Sequence, residues 1–434
     1  MSLSIPGETP ASGAVSDRLS RPLTEGVRTS PPAGKALMPS IGIVNTALIA
    51  TLLGVTVVLL PNQVALIDDA NKVTNLAIVS SVTLLITLLA QPIIGAFSDR
   101  TRSRFGRRAP WMFIGLLVMA MSTVSLGSVQ TIAFLVGLVT LFQLGFATIS
   151  APLAALTADR YPPERRGMVS AFIGFGLNVG YAVGVFIAGN LAANVNLAYT
   201  IFGIGAFVVG FAFILVARDS SSLDMPVKKF RWTTFLLSFW INPLKNPDFA
   251  WAFVARFLFI LGYYVVFGYQ FFILIDYLAL DLEGANSAIA VLGLVALPPT
   301  LIGAYVTGWL SDRWHRRKPF LYAACVAMAA GFMSQYIAPT MTGQVIMVIL
   351  TGIGFGMYLA SDTALMTQVL PDIEGAAAKD LGILNLATGL PQALSAIVAA
   401  TIITSFGGYS GLFIFATVIV IVGAIAVIPI RSVR

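Results

Sequence analysis

Long apolar runs, separated by short polar breaks, fill the sequence from residue 41 onward. A helix needs about 20 apolar residues to cross the hydrocarbon core of a bilayer, and the runs have about that length. Residues 1–40 lack the pattern and are rich in Ser, Pro, Gly and Thr, so we expect a disordered cytoplasmic tail there. The pattern predicts twelve membrane-spanning helices, at about residues 41–66, 73–97, 109–127, 131–158, 167–190, 197–217, 249–277, 285–310, 319–337, 343–369, 379–405 and 409–429.

Lysine and arginine are distributed unevenly between the two sides that twelve spans define. The side of the termini holds 24 of the 26 basic residues, the other side holds Lys72, and Arg256 lies within a span. Because basic residues collect on the cytoplasmic side, we expect both termini in the cytoplasm and a multi-pass protein of the plasma membrane, the inner membrane in a bacterium. This topology accounts for the net charge of +7, so no nucleic-acid partner is expected.

Two short, arginine-rich turns carry the same residues about half a chain apart. The first begins with Asp99, where the second apolar run ends, and has five arginines within nine residues. Such a repeat indicates an internal duplication, so we predict two six-helix bundles, 41–217 and 249–430, joined by a cytoplasmic linker at 218–248 with an interfacial segment. The matching residues are Gly95, Asp99, Arg100, Arg107 and Arg108 in the first turn and Gly308, Asp312, Arg313, Arg316 and Arg317 in the second.

The aspartates of both turns lie at helix ends near the membrane boundary, where an acid needs a cationic partner or a helix N-terminus. By pseudo-symmetry we expect Asp99 to face the start of the eleventh span near Lys379, and Asp312 to face the start of the fifth span near Arg166. These contacts would form when the cytoplasmic side closes. The turns are therefore predicted to be conformational latches; the simpler alternative is that the arginines only fix the topology.

The repeated turn resembles a signature of a known family. Asp99-Arg100 followed by Arg107-Arg108, with its second copy after the eighth span, is similar to the signature of the major facilitator superfamily. The stretches 91–110 and 379–392 resemble, more narrowly, bacterial members of the glycoside–pentoside–hexuronide:cation symporter and plant sucrose carrier group. The resemblance covers about residues 41–430.

The resemblance implies an all-α integral membrane fold of twelve helices in two pseudo-symmetric six-helix bundles. It also implies a secondary active transporter that carries a small polar solute, such as a sugar or glycoside, by alternating access and in symport with protons. The plant carriers have an aspartate in the middle of the fourth span and an arginine eleven residues later. Gln143 and Ala154 stand at those positions here, so the proton-coupling pair of those carriers is absent.

Polar side chains near the middle of the spans are the candidate solute-binding residues, because hydrocarbon offers them no partners. In the fold that the resemblance implies, the solute lies near the midplane between the two repeats. Amides offer paired donors and acceptors, and aromatic rings cover the apolar face of a polyol. For each amide, the alternative is a hydrogen bond between helices. The candidates are Gln143, Asn178, Tyr263, Tyr264, Gln270, Tyr358 and Gln392.

Two opposite charges lie inside the apolar runs at similar depth. Arg256 is seven residues from the cytoplasmic start of the seventh span, and Asp362 is seven residues from the cytoplasmic end of the tenth. Because an unpaired charge there would be costly, we predict that the two form an ion pair. The functional hypothesis is that Asp362 exchanges Arg256 for a proton and so couples transport to the proton gradient. The alternative is a permanent salt bridge that only fixes the two helices.

Other functions remain as alternatives. Within this fold the chain could be a drug or metabolite exporter; from a different class, it could be a non-transporting membrane sensor, although a 40-residue tail cannot form a soluble output domain. The sequence shows no phosphate-binding loop, metal-ligand cluster or nucleophile motif, so we expect no enzyme, cofactor or metal. Gly176, Gly180 and Gly184 are expected to pack a helix closely rather than to mark a drug antiporter. We expect a monomer whose partners are the lipid bilayer, the solute and H⁺.

Overall fold

The computed structural model describes residues 36–161, 163–217, 221–223, 246–314, 316–369 and 377–430, in which all regular secondary structure is helical. The helices in chain order are α1 (Leu37–Ile67, with a π-helical segment at Gly54–Leu59), α2 (Lys72–Ser98), α3 (Ala109–Leu126), α4 (Ile132–Arg160), α5 (Pro163–Leu191), α6 (Val195–Ala217), α7 (Pro247–Phe267, which resumes as Gln270–Phe272 and the π-helical segment Ile273–Tyr277), α8 (Leu282–Trp314), α9 (Lys318–Ile337), α10 (Met341–Val369), α11 (Ala377–Ser405) and α12 (Gly408–Ala426).

The predicted fold class is confirmed, and the helices agree closely with the predicted spans. In the described residues, eleven continuous helical stretches are long and apolar enough to cross a membrane. One of them, Met168–Ala217, has 50 residues, which is about 75 Å of helix and more than twice the hydrocarbon thickness. The short 3₁₀ turn Ala192–Asn194 divides this stretch into α5 and α6, which gives twelve spans.

The ends of the predicted spans differ from the helices by a few residues. Helix α1 begins at Leu37, so it includes the last four residues of the predicted tail, and α7 begins at Pro247 rather than at 249. Most of the tail and of the predicted linker lie outside the described residues. In the described part of the linker Ser222 is buried, and its main-chain N–H donates to the Ser103 carbonyl of the first charged turn.

The helices fall into two groups by their contacts. In the first half of the chain α1 packs against α5 and α6, α3 against α4 and α6, and α2 against α4. In the second half α7 packs against α11 and α12, α9 against α10 and α12, and α8 against α10. The two groups meet along α2 with α11 and along α5 with α8. These four helices therefore form the seam where the groups could move relative to each other.

Three glycines let α5 lie directly against α1. A Cβ atom added to Gly176 would stand 2.8 Å from the Gly42 carbonyl oxygen, and one added to Gly184 would stand 2.2 Å from that of Ala50. Gly180 makes the equivalent approach to Thr46. Small residues are what permit such close packing between membrane helices. The expectation that these glycines serve helix packing is confirmed.

The polar contacts that join the two groups lie near the membrane face that holds Lys72, called here the opposite face. The Lys72 ammonium lies 2.8 Å from the Asp276 carboxylate, and the Tyr409 hydroxyl donates to the same carboxylate at 2.6 Å. Asn62 and Asn286 exchange two amide hydrogen bonds of 2.9 and 3.1 Å. On this face the two groups of helices are therefore held together.

A second set of contacts supports the closed opposite face. The Tyr269 hydroxyl of α7 lies 3.0 Å from the carbonyl oxygens of Val73 and Ala396, so one side chain touches α2 and α11 at once. In the adjoining loop, hydrogen bonds from Asn71 hold the pKa of the Asp68 carboxyl below its usual range.

The membrane face with the two charged turns is called the arginine-rich face. There, a Cβ at Gly95 or Gly308 would meet no atom of a described residue within 4 Å.

The close approach of α5 to α1 predicts that Gly184→Ala destabilises the protein while Gly174→Ala does not. The added methyl group at Gly184 would overlap the Ala50 main chain, at a cost of about 1–3 kcal/mol. Gly174 lies on the same helix with open space around its Cβ position, so alanine there removes only the helix penalty of glycine. Thermal unfolding in detergent measures both. Equal midpoints for the two variants would contradict the close packing.

Candidate functional site

A cavity of about 390 Å³ lies between the two helix groups, enclosed mainly by α1, α2, α4, α7 and α11. Gln91, Gln143 and Gln392 line it, together with Tyr264. Its volume is within the range of small-molecule binding sites. Among the described residues, the amides of Gln91 and Gln143 have no protein hydrogen-bond partner, so they are available to a polar ligand. We call this space the central cavity.

Irregular backbone borders the central cavity on two helices. The π-helical segment of α1 contributes Thr56 and Val57, and the break in α7 contributes Gly268 and Tyr269. Inside a membrane such backbone is tolerated only where it is covered by protein or lines a cavity. A π-helical turn also changes the direction of the side chains around it. The regular α-helical hydrogen bonding of α1 and α7 is therefore interrupted beside the central cavity.

Two of the cavity amides lie next to prolines within helices. Gln91 precedes Pro92 in α2, and Gln392 follows Pro391 in α11. Proline removes a main-chain hydrogen bond and bends the helix. Because α2 and α11 pack against each other, these two bends lie on the same side of the cavity.

A smaller side pocket of about 120 Å³ opens between α5, α7, α8 and α10. Asn178, Tyr263 and Gln270 line it, together with Phe355. It shares wall residues with the central cavity, so the two spaces are continuous. The shared residues are Leu53, Leu177, Tyr264 and Phe267.

The structure divides the predicted solute-binding residues between these spaces. Gln143 and Gln392 line the central cavity, Asn178, Tyr263 and Gln270 line the side pocket, and Tyr264 lines both.

The placement of Tyr358 is a correction. Its ring stacks on that of Phe259, with the ring centroids 3.5 Å apart, and it lines neither the central cavity nor the side pocket. The reason is the rotation of α10 about its axis, which turns this residue towards α7 and α9 within its own helix group.

Sequence reasoning missed Gln91 as a site residue. The residue was visible as an amide within an apolar run, beside a proline. Depth within the span could not show that its side chain faces α4 and α11 rather than lipid. The structure brings it to the same cavity as Gln143 and Gln392.

The predicted ion pair between Arg256 and Asp362 is present in the structure. Arg256 Nη1 lies 3.0 Å from Asp362 Oδ2, and the side chains are only 16% and 7% exposed. Arg256 Nη2 also donates to Thr388 Oγ1 of α11 at 2.8 Å. Thr388 precedes Gly389, which lines the central cavity. The pair therefore lies inside the second helix group. Thr388 connects it to the part of α11 that lines the central cavity.

A void of about 10 Å³ adjoins the ion pair. Tyr358 and Cys325, the only cysteine of the chain, line it together with Arg256 and Asp362. This is about the space that one water molecule needs. The surroundings of Asp362 thus have room for a proton carrier without a change in helix packing.

The charged turns occupy the arginine-rich face, where their aspartates are exposed. Asp99 follows α2, and Asp312 lies 3.8 Å from Arg317 in its own turn. The side chains of the expected partners, Lys379 and Arg166, lie outside the described residues, as does His315. The latch contacts therefore stay a prediction.

Arg108, one of the predicted latch residues, is buried in the first helix group. Its guanidinium donates to the Pro152 carbonyl oxygen of α4 at 3.2 Å. That contact lies within the first helix group, because α4 packs against α3 directly after the turn. Arg108 therefore fixes the turn to α4 of its own helix group.

The fold is similar to that of solved transporters. A bacterial homolog of the human lysosomal transporter Spinster, in an inward-facing and occupied conformation, superposes with a TM-score of 0.68 at 15% identity, over 93% of this chain and 98% of that one. The nucleoside transporter NupG superposes with a TM-score of 0.69 at 13% identity, over 91% and 99%. At these identities the likeness shows the fold alone.

Sequence relatives match shorter stretches. A sucrose transport protein of Arabidopsis thaliana is 27% identical over 124 residues, which is 24% of this chain and 21% of that protein. An uncharacterized symporter of Synechocystis is 34% identical over 80 residues, 16% of this chain and 15% of that protein. The matches thus span about a fifth or less of these relatives, which are transporters and not enzymes. The sequence model of the Major Facilitator Superfamily matches residues 40–378 and 299–434, so the chain belongs to the Major Facilitator Superfamily.

Proposed function

We propose that this protein is a secondary active transporter that moves a small polar solute, a sugar or glycoside, in symport with protons. The observation that carries the proposal is the central cavity between the two helix groups, with the amides of Gln91, Gln143 and Gln392 on its wall. Each amide offers both donors and an acceptor, which matches the hydroxyl groups of a neutral polyol. The names of the relatives, sucrose transport proteins and a symporter, support the same class of solute and mechanism.

Alternating access is supported by the asymmetry of the contacts between the helix groups. The opposite face is joined by the Lys72–Asp276 ion pair and the Asn62–Asn286 amide pair. On the arginine-rich face both turn aspartates are exposed. In our proposal the solute exchanges through the arginine-rich face in this conformation, and that face is cytoplasmic, as are both termini. The protein works as a monomer in the bacterial inner membrane.

Proton coupling is assigned to the Arg256–Asp362 pair. The two charges are buried and 3.0 Å apart, so removing Arg256 from Asp362 would leave a carboxylate that favours protonation. Thr388 connects Arg256 to α11, a helix that lines the central cavity and borders the seam. Movement of α11 during the transport cycle would therefore pull on Arg256 and change the proton affinity of Asp362.

We expect Gln143→Leu and Gln392→Leu to weaken solute binding, because each leaves solute hydroxyls without partners at a cost of about 1–3 kcal/mol. That cost is roughly five- to 150-fold in affinity, measurable by competition for radiolabelled sugar uptake into liposomes. Gln335→Leu is the matched control, because Gln335 is fully buried but lines neither cavity. Normal affinity in the two cavity variants would show that these amides serve packing only.

We expect Asp362→Asn to abolish accumulation driven by a pH gradient while solute exchange without a gradient survives. The amide keeps the shape of the side chain but cannot alternate between charged and neutral forms. Uphill uptake and counterflow, measured on the same liposomes, separate the two properties. Uphill accumulation by the Asn variant would remove Asp362 from the coupling mechanism.

We expect Asp99→Asn and Asp276→Asn to shift the conformational equilibrium in opposite directions. Asp276→Asn removes the partner of Lys72 in the second helix group and weakens closure of the opposite face, whereas Asp99→Asn weakens closure of the arginine-rich face. Spin labels on cysteines at the exposed positions Ala70 and Glu283, in Cys325→Ala protein, report the separation of the groups on the opposite face. Longer distances should become more populated in Asp276→Asn and less populated in Asp99→Asn. Shifts of the same sign would contradict the latch.

A further inference from the structure

The side pocket extends the central cavity along the α5–α8 part of the seam and towards α10 of the second helix group. It is bounded by α5 on one side and by α7, α8 and α10 on the others. Tyr264 and Phe267 belong to the walls of both spaces, so a ligand in the central cavity can reach the pocket past these two rings. A single solute could therefore occupy both.

Aromatic rings form much of the pocket wall. Tyr263 stacks on Phe355 with a centroid separation of 4.3 Å and an interplanar angle of 17°. It also stacks on Phe267 at 5.2 Å, and Tyr181 lies 5.7 Å from Phe267. These contacts hold the rings in place, so the pocket presents fixed aromatic surfaces.

The short polar side chains of the pocket turn their donors away from its interior. Asn178 Nδ2 donates to the Gly174 carbonyl oxygen at 2.9 Å, within α5. Thr300 Oγ1 donates to Ala296 at 2.8 Å, and Thr351 Oγ1 donates to Met347 at 2.6 Å, each within its own helix. The donors of these three side chains are therefore already used, and the threonine methyl groups add to the apolar surface. Gln270, just after the break in α7, adds one amide to the pocket wall. The central cavity has three amides on its wall, those of Gln91, Gln143 and Gln392.

We propose that the side pocket is a binding subsite for an apolar group about the size of a benzene ring, attached to the sugar that the central cavity binds. The inference rests on the proposed function and narrows its solute class to glycosides with an apolar, ring-sized aglycone. The sugar hydroxyls pair with the amides of the central cavity, the aglycone lies among Tyr263, Phe267 and Phe355, and Tyr264 contacts the junction between them.

The size and chemistry of the pocket support this class of ligand. An enclosed apolar cavity of about 150 Å³ in another protein binds benzene, and the side pocket of about 120 Å³ is open to the central cavity at one end. A sugar hydroxyl placed against the ring faces of Tyr263, Phe267 and Phe355 would find no partner there and lose its hydrogen bonds to water. An apolar ring would instead leave water at no such cost.

The test compares methyl and phenyl glycosides, as both glucosides and galactosides, for binding to the purified full chain in lipid nanodiscs. Phenyl glycosides should bind about ten- to one-hundred-fold more tightly than their methyl counterparts, the range expected for burial of one phenyl group. Ala296→Leu should fill the pocket and reduce this preference to less than about three-fold, with methyl glycoside affinity unchanged. Ala147→Leu, the matched control on the wall of the central cavity, should weaken both ligands alike.

The outcomes separate this inference from the function on which it rests. Equal binding of methyl and phenyl glycosides by the native protein overturns the subsite and leaves sugar transport standing. Binding of no glycoside overturns the proposed function and the subsite together. A phenyl preference that survives in folded Ala296→Leu protein places the aglycone elsewhere and overturns the subsite.

A second variant decides the case in which Ala296→Leu does not fold. Phe355→Ala enlarges the same pocket, so naphthyl glycosides should gain affinity relative to phenyl glycosides by about ten-fold. An unchanged naphthyl-to-phenyl ratio in that variant would overturn the subsite.

Discussion

The hydrocarbon core of the bilayer offers no hydrogen-bond partners, and this constraint shapes the whole protein. The main chain satisfies it by forming helices. Many hydroxyl side chains satisfy it by donating to their own helix, as Thr46 does to Gly42 and Thr351 to Met347. Polar groups that keep a free donor or acceptor are therefore conspicuous, and Gln91 and Gln143 among the described residues lie together at the central cavity.

The helix contacts within a group differ in kind from those between the groups. Within the first helix group, α5 approaches α1 through glycines whose replacement would bring side chain onto main chain. Such packing holds a group of helices as a unit. Between the groups, the contacts include hydrogen bonds and an ion pair, such as Lys72–Asp276, which can break and re-form without a change in helix packing. The central cavity lies at the seam that can move.

Buried charge has a different role from buried amide in this protein. Arg256 and Asp362 satisfy each other inside the second helix group, so they cost little while paired and much when separated. The bond from Arg256 to Thr388 extends this pair to a helix of the seam. A movement of α11 at the seam can thus alter the contact between Arg256 and Asp362, an acid well inside the tenth span.

The sequence by itself determined the number, length and order of the helices, because an apolar run of about 20 residues satisfies its own main chain and needs no distant partner. It also determined the Arg256–Asp362 pairing, since equal depth and opposite charge left few other solutions. Only the tertiary structure decided which polar residues share a cavity. That choice depends on the rotation of each helix about its axis, which brings Gln91 to the solute cavity and turns Tyr358 away from it.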